Sequence, residues 1–529
     1  MVSKKNRRCG AINQGVLIAI GSLLALGLLS AFLISTPSKN RPVSSQQVNE
    51  KGETVENSQK NLVLFCAAGV KPPVASAALK YAKEKFGTEI HLQYGGSGTL
   101  LSSLKVAKMG DLYLAADSSY QQIAKQAGLV KEVIPLAKIR PVIAVAKRNP
   151  KQIKTLDDLL KANVKIALAN PEAASIGKQS KKILQQTGHW ERIEKKTTVF
   201  KPTVMDIAAD VSLGAVDAAI VWDATVKQFP GKLEAVHVPE FDASEQTISI
   251  AVLTCSKKPT EALRFARYLQ APKKGQVEFK KYGYEPINGD PWELSPELLL
   301  YSGGVNRLAI EDTIRQFEKR EGVTVNVAYN GCGILVSQIN AGAMPDAYFA
   351  CDVSYMHQVQ DKFQAPVTVS ETDMVIITKK GNPKNIKSLK DLARDGIKLG
   401  IAHEQQSALG ALTKRMMSKI DYNGQDLYSA IQKNVKQNTP TADLLVNQLR
   451  VGGLDASVVY LANVSQVKDK LDIIPITDAD PKAEQPIAIR KKTQYHYLMQ
   501  RLLDAIESAS SREKFESHGF RWRIQGPTP

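Results

Sequence analysis

Residues 94–101, Tyr-Gly-Gly-Ser-Gly-Thr-Leu-Leu, set glycines and hydroxyls directly ahead of an apolar-periodic segment. Glycine lets a backbone approach a bound group, and the free N–H groups at a helix start face whatever precedes it. These residue types suit one kind of chemistry: holding a small dehydrated oxyanion with neutral donors and helix dipoles. Ser97 offers a hydroxyl there and Gly98 an amide. Two more turns have the same character. Ala68 and Gly69 follow the apolar run Leu62–Ala67, and Ser175 and Ile176 follow Ala169-Asn-Pro-Glu-Ala-Ala. A single Gly/Ser turn before a helix is ordinary capping; three in one unit form a stronger pattern. Trp222 ends the run Ala-Ala-Ile-Val-Trp and fits a cleft wall or a core equally. A carboxylate beside it, Asp223, would repel an anion unless turned away or paired. Asp117 reads as the cap of the next helix.

The same block returns downstream. Tyr94, Gly96, Gly98, Asp111 and Asp117 recur as Tyr329, Gly331, Gly333, Asp346 and Asp352, each 235 positions later. Residues 149–159 match 382–392, residues 213–222 match 451–460, and residues 279–284 match 515–520. Several anchors in one order at a nearly constant offset define an internal repeat. The second-copy counterparts of the candidate ligand residues Ala68, Gly69, Ser97, Gly98, Ser175 and Trp222 are Gly303, Gly304, Cys332, Gly333, Ala408 and Tyr460. Cys332 in place of Ser97 supplies only a weak donor, so the second copy keeps the architecture while altering or losing the original ligand.

Positioning these turns requires alternating strands and helices. In the first copy the patterns predict strands at Leu62–Ala67, Ile90–Gln93, Leu112–Ala115, Ile139–Ala146, Lys165–Leu168 and Ala218–Val221. Helices are predicted at Val74–Phe86, Thr99–Lys108, Ile176–Gln186, Ile207–Leu213, Thr260–Leu269 and Lys273–Tyr282. Such alternation implies an α/β fold with parallel sheets covered on both faces. About 225 residues per copy suits two lobes better than one core. In open α/β sheets ligands sit beyond the carboxyl ends of strands, where the three turns fall.

The rest of the composition narrows the function. The formal charge of +18 fits anionic partners or plain solubility,. No Arg-rich arm, zinc-finger spacing or stacking motif points to nucleic acid. No G-x-S-x-G, HExxH or G-x-x-x-x-G-K-[ST] occurs, and the seven histidines are scattered,. No catalytic residue, metal or cofactor is expected. Of the five cysteines, Cys9 is set apart, Cys66 and Cys255 fall in the first copy, and Cys332 and Cys351 in the second. One bridge per copy and buried thiols both fit.

The basic stretch 1–15 precedes an uncharged apolar run, Val16–Ile34, which would span about 28 Å as a helix,. Basic residues before the span favour an inside N-terminus and an outside body. No small-x-small cleavage site follows, so the segment reads as an uncleaved signal anchor rather than a removed signal peptide. The expected plan is a basic tail at 1–15, a transmembrane segment at 16–36 and a polar tether at 37–60. Domains follow at 62–286 and 297–522, with a linker at 287–296 and a tail at 523–529.

With these residues on the page, the chain resembles two copies of a type II periplasmic solute-binding protein, most like the molybdate- and tungstate-binding components of ABC importers. The resemblance covers residues 62–522 and rests on Leu-Phe-Cys-Ala-Ala-Gly-Val at 64–70, the block at 94–117, Val-Asp-Ala-Ala-Ile-Val-Trp-Asp-Ala at 216–224 and the closing Gly275–Pro286. It implies two doubly wound lobes per domain, joined by two crossing strands and closing on one oxyanion. The crossings would fall near 138–141 and 240–247, with mates near 369–373 and 479–486. Ser97 matches a family serine that holds the anion, whereas Gly69 and Gly304 stand where the family often has another. An ABC permease and the membrane are the implied partners, with the body in the periplasm or outside the cell. A membrane-tethered receptor or scaffold with a degenerate second cleft is the alternative.

Overall fold

The structure is a computed structural model that describes residues 61–84 and 88–524. The segment Val16–Ile34 lies outside the described residues. Among those described, no helix is long and apolar enough to cross a membrane.

The first copy has two sheets. The parallel strands Ile90–Gly95, Leu62–Ala67 and Leu112–Ala115 lie side by side, with Leu62–Ala67 in the middle. Strand Gln246–Leu253 then pairs antiparallel with Leu112–Ala115 and with Val130–Ile139. The second sheet runs in the order Val199–Lys201, Ile166–Ala169, Ala218–Trp222, Pro141–Ala146, Leu233–Val236, and its last two strands are antiparallel to their neighbours. Both sheets are therefore mixed, not purely parallel as the alternation suggested. The antiparallel strands are those that pass between lobes, a feature that local patterning does not encode. One crossing lies at Ile139-Arg140-Pro141; the other leads through Pro239–Asp242 into Gln246–Leu253.

The second copy repeats this plan, except that one continuous strand, Val367–Lys379, serves both of its sheets. Along its length it pairs with the return strand Lys482–Ile489 and then with Ala456–Tyr460.

The repeated polar residues mark joints of the fold. Asp111 Oδ2 accepts from the Val63 N–H at 3.0 Å and its Oδ1 from Ser256 Oγ at 2.6 Å. Asp346 does the same with the Leu299 N–H at 2.9 Å and Thr493 Oγ1 at 2.6 Å. Asn149 and Asn382 both adopt left-handed backbone (φ 44°), and each binds the N–H and C=O of the residue four positions on. Buried backbone groups left without such partners would each cost on the order of 1–3 kcal/mol, which accounts for these residues appearing in both copies.

The two copies dock through charge. Glu321, fully buried, accepts from Arg267 Nη1 at 3.0 Å and from Arg501 Nε and Nη2 at 2.6 and 3.0 Å. Arg320 pairs in bidentate fashion with Glu132 of the first copy. The linker residue Asp290 caps the helix His496–Ile506 by accepting from the Tyr497 and Leu498 N–H groups at 3.0 and 2.8 Å.

Candidate functional site

Helix starts converge on the gap between the lobes of the first copy. Ser97–Ala107 begins in one lobe; Ser175–Gln186 and Val204–Ser212 begin in the other. Ala68, Gly69, Ser97, Ser175, Ile176 and Trp222 line a single cavity of about 20 Å³, joined by Gly95, Gly96, Thr203 and Val204 among others. A single water requires about 10–15 Å³, so the closed gap leaves room for a compact group only. None of its lining residues is charged.

Ser97 Oγ accepts from the Ala116 N–H at 3.2 Å, which leaves its own O–H to donate. Its carbonyl accepts from Tyr113 Oη at 2.8 Å, fixing the turn. Ser175 is 2 % exposed, and its Oγ has no partner among the described residues. The Gly69 carbonyl is fixed by Tyr284 Oη and by Gln228 Nε2 at 3.0 Å. Asp223 does turn away: its Oδ1 accepts from the Ala224 N–H at 2.7 Å and the Arg140 N–H at 3.3 Å, at the crossing. Trp222 is both core and wall, 3 % exposed yet lining the cavity.

The lobes are closed on each other. The Gly98 and Thr99 N–H groups donate to the Ala173 carbonyl at 2.9 and 3.3 Å. Gly98 therefore serves the lobe contact and does not line the cavity. Gly96 and Gly98 are needed for that approach, since a Cβ at Gly96 would lie 2.3 Å from the Ala173 carbonyl and one at Gly98 2.1 Å from that of Glu172. Asp117 caps the helix Ser118–Gln126, accepting from the Tyr120 N–H, and its other oxygen accepts from Gln179 Nε2 across the gap at 3.1 Å. Burial pushes its carboxyl above the usual range, opposed by those hydrogen bonds.

The second copy closes in the same way, with Gly333 N–H donating to the Gln406 carbonyl at 3.0 Å. Its cavity, also about 20 Å³, is lined by Gly304 and Tyr460 of the anticipated residues. Gly303, Cys332, Gly333 and Ala408 are buried and do not line it, while Asn330, Cys351, Ser407, Thr441, Asp443 and Asn463 form much of it. Two hydroxyl positions are lost (Ser97 to Cys332, Ser175 to Ala408), one is gained (Ala174 to Ser407), and a carboxylate, Asp443, replaces Met205. Asn463 Nδ2 donates to Asp443 Oδ1 at 3.0 Å. Sequence reasoning missed Thr203 and Thr441 as wall residues. Thr203 opens a Thr-x-x-Asp cap in which its Oγ1 accepts from the Asp206 N–H at 3.2 Å, and that pattern could have flagged it,.

Two lobes hinged by paired crossings, with helix starts facing one small gap, define a two-lobed solute-binding protein, here present twice in one chain. The sequence pattern of the bacterial extracellular solute-binding protein family matches residues 62–285 and again 298–521, and the chain belongs to that family. The molybdate-binding protein ModA of Mycobacterium tuberculosis is 24 % identical over 253 residues, which span 47 % of this chain and 92 % of that protein. A binding protein of Haemophilus influenzae is 27 % identical over 226 residues, 43 % of this chain and 91 % of its own length. The periplasmic molybdate-binding protein of Azotobacter vinelandii, known as a structure, covers 42 % of this chain and 98 % of its own at 17 % identity and a TM-score of 0.37.

Proposed function

We propose that the chain is an extracytoplasmic solute-binding protein, held at the membrane by its N-terminal apolar segment, whose first cleft takes a small oxyanion of the molybdate and tungstate type. Lobe closure then presents the anion to an ABC-type importer. One observation carries this reading: Ser97 and Ser175, from opposite lobes, line one uncharged cavity with Gly69, and the buried Ser175 hydroxyl lacks a partner. A dehydrated oxyanion would supply that partner and accept from Ser97 as well. Contacts to both lobes select the closed state. Neutral donors at helix starts also discriminate by size and geometry rather than by charge alone. The similarity to molybdate-binding proteins supports the anion class. The loss of both hydroxyls and the gain of Asp443 make the second cleft a poor anion site.

Calorimetry of the full-length chain with molybdate, tungstate, sulfate and phosphate tests the reading. One tight site per chain is expected, weakened at least tenfold in Ser97→Ala. No heat and no thermal shift with any of the four anions would remove oxyanion binding; an unchanged affinity in Ser97→Ala would place the ligand elsewhere.

A further inference from the structure

The second cleft carries a pair of thiols that the first lacks. Cys332 stands where the first copy has Ser97, and Cys351 where it has Ala116. Cys332 opens the helix Cys332–Asn340, and Cys351 follows the strand Ala347–Phe349. The Cys351 N–H donates to Cys332 Sγ at 3.0 Å. A Cβ built on Gly303 would lie 2.1 Å from Cys351 Sγ and 3.0 Å from Cys332 Sγ, so the sulfurs are at most the sum of those distances apart, 5.1 Å. Gly303 thus leaves the room in which the two sulfurs meet. Both thiols are free. Cys332 is fully buried; Cys351 is 5 % exposed and lines the gap between lobes. The first copy offers a contrast, since Cys66 sits inside a central strand and Cys255 Sγ donates to the Gly110 carbonyl at 3.7 Å.

We propose that Cys332 and Cys351 form a disulfide, and that the oxidant reaches them through the second cleft when its lobes part. The family is described as extracellular, and disulfides persist in such oxidising surroundings. Cys351, at the cavity wall, attacks an external disulfide as its thiolate and expels one thiolate. The Cys332 thiolate then attacks Cys351 Sγ in the mixed disulfide and expels the other. One S–S bond breaks and one forms. Two protein thiols are oxidised, the external disulfide is reduced to two thiols, and the two protons pass to the departing sulfurs. Burial acts to raise the Cys332 thiol, but hydrogen bonding from Cys351 and Tyr348 outweighs it and holds Cys332 below the usual thiol value. The hydrogen bond to Cys332 and burial push Cys351 up, so Cys351 attacks after passing its proton to Cys332. A resolving thiolate at a helix start fits that balance. The bridge joins two turns of one lobe, so it fixes the floor of the cleft and leaves the hinge free.

The test does not depend on what the first cleft binds. The full-length chain is exposed to oxidised glutathione, quenched in acid, denatured, alkylated and mapped by mass spectrometry. The expected product is a peptide pair joining Cys332 to Cys351, lighter by two hydrogens and released by dithiothreitol, with Cys66 and Cys255 alkylated. Cys332→Ser should abolish the pair. Gly333→Ala should speed its formation, because a Cβ there would lie 1.9 Å from the Gln405 carbonyl and hold the lobes apart. Full alkylation of both cysteines in wild type and Gly333→Ala alike, or bridging to Cys66 or Cys255 instead, would overturn the proposal; an unchanged rate in Gly333→Ala would overturn the route.

Discussion

Adding one methyl group at Gly98 should hold the first clamshell open. In the closed form that Cβ would lie 2.1 Å from the Glu172 carbonyl and 2.7 Å from Tyr120 Oη. A relaxed carbon–oxygen contact needs about 3.3 Å, so the lobes must withdraw by roughly 1 Å. That movement lengthens the Gly98 and Thr99 bonds to Ala173, now 2.9 and 3.3 Å, past useful range. Two backbone hydrogen bonds contribute about 1–3 kcal/mol together, a factor of about 5–150 in the closed population. A ligand that selects the closed form loses the same factor in apparent affinity. The lobes themselves should not suffer, since Gly98 is the second residue of the helix Ser97–Ala107 and alanine there favours the helix by about 0.5–1 kcal/mol,. Calorimetry with the best oxyanion and small-angle scattering read both effects: weaker binding and a larger radius of gyration, at an undiminished melting temperature without ligand. Gly333→Ala serves as the internal control, opening the second clamshell and leaving anion affinity intact. Wild-type affinity and dimensions in Gly98→Ala would refute the claim that this contact governs closure.

Other outcomes follow from the same geometry. Glu321→Gln leaves Arg267 and Arg501 buried without a counter-charge, which should cost about 3–5 kcal/mol in urea-induced unfolding. Burial alone would raise the Glu321 carboxyl, but Arg501 and Arg267 outweigh it and hold it below the usual glutamate range. A depressed carboxyl stabilises the fold above its unfolded value and ceases to do so as pH falls through its folded value. Acid unfolding should therefore begin below about pH 4.3 in wild type, and Glu321→Gln should flatten that limb of the pH profile. The triple change Cys332→Ser, Ala408→Ser and Asp443→Met gives the second cleft the first cleft's residues; a second anion site should then appear in calorimetry, and its absence would show that these three positions do not determine anion binding.

The repeat was legible because both copies keep the same joints. Asp111 and Asp346 fix the N–H of a neighbouring strand, at Val63 and Leu299, while Asn149 and Asn382 fix their own turns, and such residues cannot drift. Five of the six helix starts expected in the first copy fall one to three residues late, and Lys273 falls two residues ahead of Gly275. The helix expected from Val74 opens at Lys71 and takes Pro72 and Pro73 in its first turn, where their missing N–H groups cost nothing,. Strand Val130–Ile139 was missed because its charged residues and Pro135 obscure the alternation. Its pairing comes from Gln246–Leu253, over a hundred positions away. The cleft residues Ser97, Gly69, Ser175 and Trp222 could be read as strand-end turns. Gly98's role could not, because its partner Ala173 belongs to the other lobe.

Two similar domains in one chain need not do the same work, and the residues that differ are informative. The second copy keeps the glycines that permit closure: Gly331 would place a Cβ 2.3 Å from the Gln406 carbonyl, just as Gly96 would at Ala173. It also keeps the strand-end aspartates, while its first crossing is one continuous strand where the first copy has two. Among the many differences between the copies, those at the cleft wall bear on the ligand: Cys332 for Ser97, Ala408 for Ser175 and Asp443 for Met205. The core keeps its burial through those differences: Tyr348 matches Tyr113, Phe349 replaces Leu114, and both sit fully buried. On the proposed reading, closing contacts retained while the cleft wall changes are what result when a domain is kept for its shape and its docking. The buried Arg267–Glu321–Arg501 group supplies the docking: a charge cluster of this kind tolerates no loose fit, because any separation leaves a carboxylate and two guanidiniums facing apolar surroundings. It therefore holds the second copy in one register against the helix Pro259–Gln270 of the first.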